Sequence, residues 1–230
     1  MAESTKPKIT HVIFDMDGLL LDTESIYTLT TQEQVSRYGK DFTWEVKGKL
    51  MGTSEREGWQ ILFRELELEG KADMEEMMIQ TRKRRDELFP TCKLMPGAER
   101  LIRHLHSHGV PICVATSSRS SSFEAKTSQK QELFSLFHHC VRGDDPDLKR
   151  AKPSPDIFLV AASRFSEPPA PEKCLVFEDA PQGVEAALAA NMTCIMVPDS
   201  HLSKSLLGRA HVELASLEDF DPAVYGLPGF

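Results

Sequence analysis

Two aspartates one residue apart, Asp15 and Asp17, follow a short apolar run at residues 12–14 and precede Gly18. An apolar run of β-branched and aromatic residues is typical of a buried parallel strand, which would normally exclude charge. Two carboxylates this close need a partner of opposite charge, and a bound cation would supply it. The alternative is a plain turn after the strand, where Asp and Gly are favoured for backbone reasons.

Other polar groups follow apolar runs further along the chain. Thr116 comes after residues 112–115, Glu178 and Asp179 come after residues 174–177, and Lys152 precedes a helical pattern. In an open α/β sheet, the carboxyl ends of the strands meet at one crevice, so these groups can converge there. Carboxylates suit a hard cation such as Mg²⁺, and a lysine supplies a point charge for phosphate. The set therefore predicts a site for Mg²⁺ and a phosphoryl group.

The elements that must position these groups alternate beyond residue 97. Helical faces separate strand-like runs at 112–115, 140–143, 174–177 and 194–197, and residues 211–214 are a candidate for a last short strand. Such alternation predicts βαβ units. We therefore expect an α/β fold with a doubly wound, Rossmann-like parallel sheet.

Residues 24–89 contain no strand-like run and show helical spacing instead. Apolar residues recur at helical intervals at about 25–38, 59–66 and 74–88. A helical block placed after the first strand predicts a small α-helical cap inserted into the core. The expected division is a core of residues 1–22 and 93–230, with a cap of residues 23–92.

Composition narrows the classes of function. The 230 residues carry a formal net charge of −8, which argues against nucleic acid as a partner. The sequence contains no run of 18 apolar residues, which a membrane span would require. The start of the chain is polar and lacks the apolar segment of a signal peptide. Five cysteines without a C-x-x-C pair are typical of a reducing compartment. We expect a cytoplasmic monomer that acts on a small molecule.

The four polar segments occur in the order of the four motifs of the haloacid dehalogenase superfamily, which the chain resembles over nearly its whole length. They are Asp-Met-Asp-Gly-Leu-Leu-Leu-Asp at 15–22, the Thr116 segment, Lys-Pro-Ser-Pro-Asp at 152–156 and Phe-Glu-Asp at 177–179. The helical insertion is similar to the cap of the β-phosphoglucomutase-like branch. The resemblance implies a Mg²⁺-dependent phosphatase that forms an aspartyl-phosphate.

The resemblance also implies roles for the acidic residues. Asp15 would be the nucleophile, and Asp17 would be the general acid and then the general base. The metal would be held by the carboxylates of Asp15 and Asp179 and by the backbone carbonyl of Asp17. To donate a proton, Asp17 must be protonated, so the closed site is expected to raise its pKa above the usual value near 3.9.

The resemblance also implies which groups would bind the phosphate. Thr116 and the backbone N–H of Ser117 would hold phosphoryl oxygens, and Lys152 would offset the charge of the phosphate and of the nucleophile. Glu178 would contact and orient these groups and would not itself bind the metal. Retention of this whole set argues against a catalytically silent binding protein of the same fold.

Substrate choice is expected to depend on what closes over the leaving group: Glu24, Tyr27 and the cap loop from Gly52 to Glu55, with Arg119 beside the phosphate loop. Tyr27 and Glu55 stand where the mutase branch carries His and Arg, which disfavours a mutase. Longer stretches of the chain are similar to a phosphatase of this superfamily that acts on pseudouridine 5′-phosphate, and this resemblance implies the same substrate. A sugar phosphate or phosphoglycolate phosphatase is the alternative.

Overall fold

The computed structural model describes residues 8–50, 53–202 and 209–230, and six strands within these ranges form one sheet. All strand pairs are parallel, in the order β3-β2-β1-β4-β5-β6. The strands are β1 (His11–Phe14), β2 (Ile112–Ala115), β3 (His139–Val141), β4 (Cys174–Glu178), β5 (Thr193–Met196) and β6 (Val212–Glu213). The expected doubly wound parallel sheet is confirmed. The predicted strands match within two residues at each end, and the candidate at 211–214 is a two-residue strand.

Helices cover both faces of the sheet, so the central strands are buried on both sides. Along β1, Phe14 belongs to the apolar cluster on one face and Ile13 to the cluster on the other. The helices of the first face are α5 (Ala98–Ser107), α6 (Ser120–Thr127) and α7 (Gln131–Phe134). Those of the second face are α8 (Asp156–Ser163) and α9 (Pro181–Ala189).

Between β1 and α5, the described part of the chain forms four helices, which are inserted after the first strand. They are α1 (Glu24–Ser36), α2 (Trp44–Leu50), α3 (Glu55–Glu65) and α4 (Met74–Leu88), and we call residues 24–88 the helical segment. They share a third apolar cluster around Val35, Trp59 and Met77. The division of the chain at residues 23 and 92 stays a prediction.

The sequence reading of this segment was wrong in two details. Helix α2 was missed, because Gly48 interrupts a short and strongly charged stretch. Helix α1 ends at Ser36 rather than Tyr38, and Leu29, taken as part of its apolar stripe, is 48% exposed. Within the described ranges, every helix is too short or too polar to cross a membrane.

Candidate active site

The register of the central strands sets the position of the first aspartate. Phe14 pairs with Val114 of β2 on one side and with Phe177 of β4 on the other. The next backbone N–H, that of Asp15, donates to the carbonyl of Phe177 at 3.0 Å. Because the strands are parallel, the residues that follow them emerge at one edge, so Asp15 lies close to Glu178 at the end of β4.

Lys152 lies between these two carboxylates. Its Nζ is 2.5 Å from Asp15 Oδ1, 2.6 Å from Glu178 Oε1 and 3.2 Å from the carbonyl of Ala115. All three charged side chains are less than a tenth exposed. Burial alone would lower the pKa of Lys152, but the two carboxylates raise it above the usual value. The ammonium is therefore charged and fixed at the carboxyl edge of β1, β2 and β4.

Two glycines make room for the carboxylates. Gly18 has φ +79°, and a Cβ at this position would lie 2.2 Å from Asp179 Oδ2. In helix α9, a Cβ at Gly183 would lie 1.9 Å from the carboxyl carbon of Glu178. Any side chain at either position would displace a carboxylate of the site.

Asp15, Glu178 and Asp179 form an acidic cluster whose ligand oxygens lie within 4.8 Å of one another. Burial and the carboxylates of Asp15 and Glu178 raise the pKa of Asp179 well above its usual value. Burial also raises the pKa of Asp15 to about 7, although Lys152 opposes the rise. Among the described residues, no lysine or arginine forms an ion pair with Asp179. An incompletely neutralised set of carboxylates is a donor set that fits Mg²⁺.

Asp17 is held apart from that cluster. Its Oδ1 is 2.5 Å from Lys126 Nζ, and its Oδ2 accepts hydrogen bonds from Ser118 at 2.8 Å and from Thr116 at 3.2 Å. Burial raises the pKa of Asp17, but Lys126 and Ser118 outweigh it and lower the pKa below the usual value. In this arrangement the pKa of Asp17 is thus lowered by Lys126, which the sequence reasoning did not include, and the raised pKa of the closed site stays a prediction.

Lys126 and Ser118 are the contacts of this site that sequence reasoning missed. The helix that carries Lys126 buries Phe123, Lys126 and Thr127, at spacings i, i+3 and i+4. A lysine on an otherwise buried helix face was the one available signal. Ser118 follows Thr116 by two residues and was assigned no role.

Asp179 is the member of the acidic cluster that lines a cavity of about 380 Å³, and residues of the helical segment form most of its wall. Its lining includes four aromatic side chains: Tyr27, Phe42, Trp44 and Trp59. A larger cavity of about 570 Å³ lies near Ile9 and Thr193, at the opposite ends of the strands, and holds none of the predicted site residues. The smaller cavity is the one in reach of the carboxylates.

The predicted cap residues differ in how they face this cavity. Glu24, Tyr27 and Glu55 all line it, while Gly52 lies outside the described residues. Glu24 pairs with Lys47, another lining residue that sequence reasoning missed, at 3.0 Å. Arg119 does not line the cavity, and its side chain is exposed just before α6.

The carboxylate of Glu55 is engaged by two arginines of α4, with Arg82 Nη2 at 2.7 Å and Arg85 Nη2 at 2.9 Å. Burial of Glu55 raises the pKa of its carboxyl group, but the two arginines outweigh burial and lower the pKa below the usual value. Ser117 lies with Lys152 in a separate cavity of about 200 Å³. The structure thus brings Glu24, Tyr27 and Glu55 to the cavity that Asp179 lines, and both glutamates there are already paired with cations.

Comparison with known proteins decides the family. A family model described as a haloacid dehalogenase-like hydrolase matches residues 9–191. The chain belongs to the haloacid dehalogenase-like hydrolases. It is 49% identical to (DL)-glycerol-3-phosphatase 1 of Arabidopsis thaliana, over all of this chain and 78% of that protein. It is 48% identical to a probable pseudouridine-5′-phosphatase of Drosophila melanogaster, over all of this chain and 99% of that protein.

Among solved structures, a β-phosphoglucomutase-like protein from Thermotoga maritima is 32% identical, with a TM-score of 0.73, over 90% of this chain and 94% of that one. These matches confirm the superfamily and the class of enzyme, a phosphoric monoester hydrolase that acts on a small phosphorylated substrate. The relatives differ in the substrate that their names state. The family leaves the substrate of this chain to be argued from its own cavity.

Proposed function

We propose that the chain hydrolyses pseudouridine 5′-phosphate to pseudouridine and phosphate, with Asp15 as the nucleophile. The observation that carries the proposal is the placement of Lys152 between Asp15 and Glu178, two carboxylates that cluster with Asp179, which lines the aromatic cavity. Phosphoryl transfer needs in-line positioning and compensation of charge on the phosphoryl oxygens. This edge of the sheet offers both a fixed carboxylate and a fixed ammonium.

In the first step, a carboxylate oxygen of Asp15 attacks the phosphorus atom, and the bond from phosphorus to the leaving oxygen breaks. Asp17 gives its proton to the leaving oxygen, which departs as the alcohol. Lys152, the hydroxyl of Thr116 and the backbone N–H of Ser117 hold the phosphoryl oxygens. The product of this step is an aspartyl-phosphate on Asp15.

In the second step, a water molecule attacks the phosphorus atom of the aspartyl-phosphate. Asp17 takes a proton from that water, phosphate leaves, and the Asp15 carboxylate is restored. In the described arrangement Lys126 keeps the pKa of Asp17 low, which favours the charged form that can accept a proton. To act as the acid in the first step, Asp17 must first gain a proton.

The acidic cluster would hold Mg²⁺ through the carboxylates of Asp15 and Asp179 and the backbone carbonyl of Asp17. When bound, the ion supplies positive charge for the phosphoryl oxygens. Glu178 lies within the same cluster, but one of its oxygens is engaged by Lys152 and the other accepts from the backbone N–H of Asp179 at 3.2 Å. Its role is therefore to fix Lys152 and the start of the turn after β4.

The aromatic lining supports a leaving group that carries a base. Tyr27, Phe42, Trp44 and Trp59 offer ring surfaces that a planar base can pack against. Glycerol 3-phosphate, the substrate type named for the Arabidopsis relative, has no ring to fill them. It remains the second candidate because the two identities, 49% and 48%, do not separate the relatives.

A substrate panel tests this assignment. With Mg²⁺ present, we expect kcat/KM for pseudouridine 5′-phosphate to exceed that for uridine 5′-phosphate by about tenfold or more, since a site that pairs the extra ring N–H rejects an analogue without it. Asp15→Asn run in parallel measures any contaminating phosphatase. Equal values for the two nucleotides, or a preference for glycerol 3-phosphate or a hexose phosphate, would contradict the substrate but not the phosphatase activity.

The proposal also covers the cellular location and the oligomeric state of the protein. A cytoplasmic enzyme of nucleotide metabolism is consistent with the proposed substrate, and the net charge of −8 favours no nucleic-acid partner. The Arabidopsis relative is named as mitochondrial, so location varies among the relatives. The monomeric state predicted from the sequence stays a prediction, which size-exclusion chromatography with light scattering would check.

A further inference from the structure

Lys126 is a fully buried lysine at the meeting point of the sheet and the helical segment. Its side chain has no exposed area. Its Nζ is 3.4 Å from the hydroxyl of Tyr27 on α1 and 4.5 Å from the centre of the Phe89 ring. A buried ammonium is costly unless it is paired, so this lysine needs a specific partner.

That partner is Asp17. Lys126 Nζ contacts Asp17 Oδ1 at 2.5 Å, and it also lies 2.8 Å from the hydroxyl of Ser118, which donates to Asp17 Oδ2. Thr116 contacts the same Oδ2 at 3.2 Å. Both oxygens of the carboxylate are therefore held, one by the ammonium and the other by two hydroxyls.

We propose that Lys126 is the positioning residue for Asp17; this inference rests on the proposed role of Asp17 in proton transfer. Thr116 is expected to hold a phosphoryl oxygen, so a carboxylate beside Thr116 stays at the phosphate end of the site. Lys126 fixes it there without touching the substrate. Since the same ammonium also meets Tyr27 and lies over Phe89, the orientation of the acid is coupled to the position of α1.

The test separates proton transfer from bond cleavage at phosphorus. Phenyl phosphate and 4-nitrophenyl phosphate are similar in size, but 4-nitrophenolate leaves without a proton, whereas phenolate is the stronger base and benefits from one. For both substrates, kcat/KM covers the steps up to formation of the aspartyl-phosphate, in which Asp17 acts only as the acid. A loss of acid positioning must therefore fall mainly on phenyl phosphate.

For Lys126→Met, we expect kcat/KM for phenyl phosphate to fall by about tenfold or more, a part of the 10²–10⁴-fold that general acid catalysis supplies, and that for 4-nitrophenyl phosphate to change by less than about threefold. Lys130→Met is the matched control, because Lys130 lies four residues further on and its Nζ meets the carbonyl of Pro90 at 3.5 Å instead of Asp17. It should leave both substrates unchanged. Thermal unfolding of each variant checks the fold.

A parallel fall on the two substrates, or no fall, would overturn the inference, since a merely structural lysine would not discriminate between leaving groups. If Lys126→Met does not fold, Ser118→Ala keeps the ammonium but removes a hydrogen bond to Oδ2. The same selective loss is then expected at smaller size, and its absence overturns the inference. Failure of the proposed function is distinct, because the wild-type protein would then release no phosphate from either substrate.

Discussion

The carboxyl edge of the sheet and the helical segment hold their charged residues in different ways. At the sheet edge, Lys152 is 9% exposed and Glu178 is 1% exposed, and strand register fixes the backbone on which Glu178 stands. In the helical segment, Glu55 is 43% exposed and pairs with Arg82, which is 58% exposed. The first pair is surrounded by strands and glycines, and the second is a surface contact between two helices.

The difference shows which part of the molecule can change at low cost. A buried charge that loses its partner is strongly destabilised, so the set at the sheet edge cannot be altered one residue at a time. An exposed ion pair contributes about 0–1 kcal/mol, so the contact between Glu55 and Arg82 can be exchanged at low cost. We infer that the sheet edge fixes the reaction and that the helical segment sets the leaving group.

The largest effect that this comparison predicts is at the nucleophile. Asp15→Asn should lower kcat by at least about 10⁴-fold, on the order of what removal of a nucleophile costs, because an amide oxygen does not attack phosphorus at a useful rate. Phosphate release measures the loss. Asp86→Asn, the same change on the exposed surface of α4, should be silent. Turnover by Asp15→Asn at the wild-type rate would remove Asp15 from its role.

Metal removal is expected to act on the same edge. A chelator should abolish phosphate release and added Mg²⁺ should restore it. Ca²⁺ should inhibit phosphate release. It prefers longer bonds and more ligands than Mg²⁺, so it would place the Asp15 carboxylate in a poor position for in-line attack. Activity that persists in excess chelator would contradict the assignment of the acidic cluster as a metal site.

A pair of glycine variants tests whether the two regions differ in tolerance. Gly183→Ala places a methyl group against the carboxylate of Glu178, and we expect it to destabilise the protein by about 1–3 kcal/mol, as overpacking does. It should also lower activity, since Glu178 would move Lys152.

The matched variant in the helical segment is Gly48→Ala. A Cβ at Gly48 meets nothing within 4 Å, so this change within α2 should stabilise the protein by about 0.5–1 kcal/mol. Chemical denaturation measures both variants. Equal effects of the two substitutions would contradict the contrast between a crowded sheet edge and an open helical segment.

The same contrast marks what the sequence could predict. The strands, their order in the chain and the acidic groups at their ends follow from apolar runs and local motifs, and a parallel sheet brings the carboxyl ends of its strands to one edge. Glu178 was named as one of these groups, and Lys152 was named from its place before a helical pattern. The contact between the two was not predicted.

Contacts between side chains of helices that are distant in the chain could not be predicted from the sequence. Lys126 shares a buried helix face with Phe123, but no local feature predicts that its ammonium meets Asp17. Lys47 likewise reads as a surface lysine of a charged stretch, yet its side chain is 9% exposed and paired with Glu24. Such partners depend on how helices pack, which composition and periodicity do not specify.

Lys47 provides the predicted effect on substrate specificity. Its Nζ pairs with Glu24 and lies 4.3 Å from the centre of the Trp44 ring, at the wall of the cavity. Lys47→Met should change the ratio of kcat/KM between pseudouridine 5′-phosphate and 4-nitrophenyl phosphate by about 10–200-fold, the range over which single pocket contacts discriminate.

The value for 4-nitrophenyl phosphate alone should stay nearly constant in that variant. The control is Lys49→Met, in which the substituted lysine is 45% exposed and pairs with Glu65 away from the cavity. A ratio that moves equally in both variants, or in neither, would argue that the helical segment does not set the leaving group.

The most direct test of the account is to trap the phosphate on the protein. In Asp17→Asn, 4-nitrophenyl phosphate needs no acid to form the aspartyl-phosphate, but its hydrolysis lacks the base, so the intermediate should accumulate. After reaction with ³²P-labelled substrate and an acid quench, peptide mapping should place the label on the peptide that contains Asp15, and Asp15→Asn in the same background should abolish it. Release of 4-nitrophenol without labelled protein, or a label on another peptide, would contradict the assignment of Asp15 as the nucleophile.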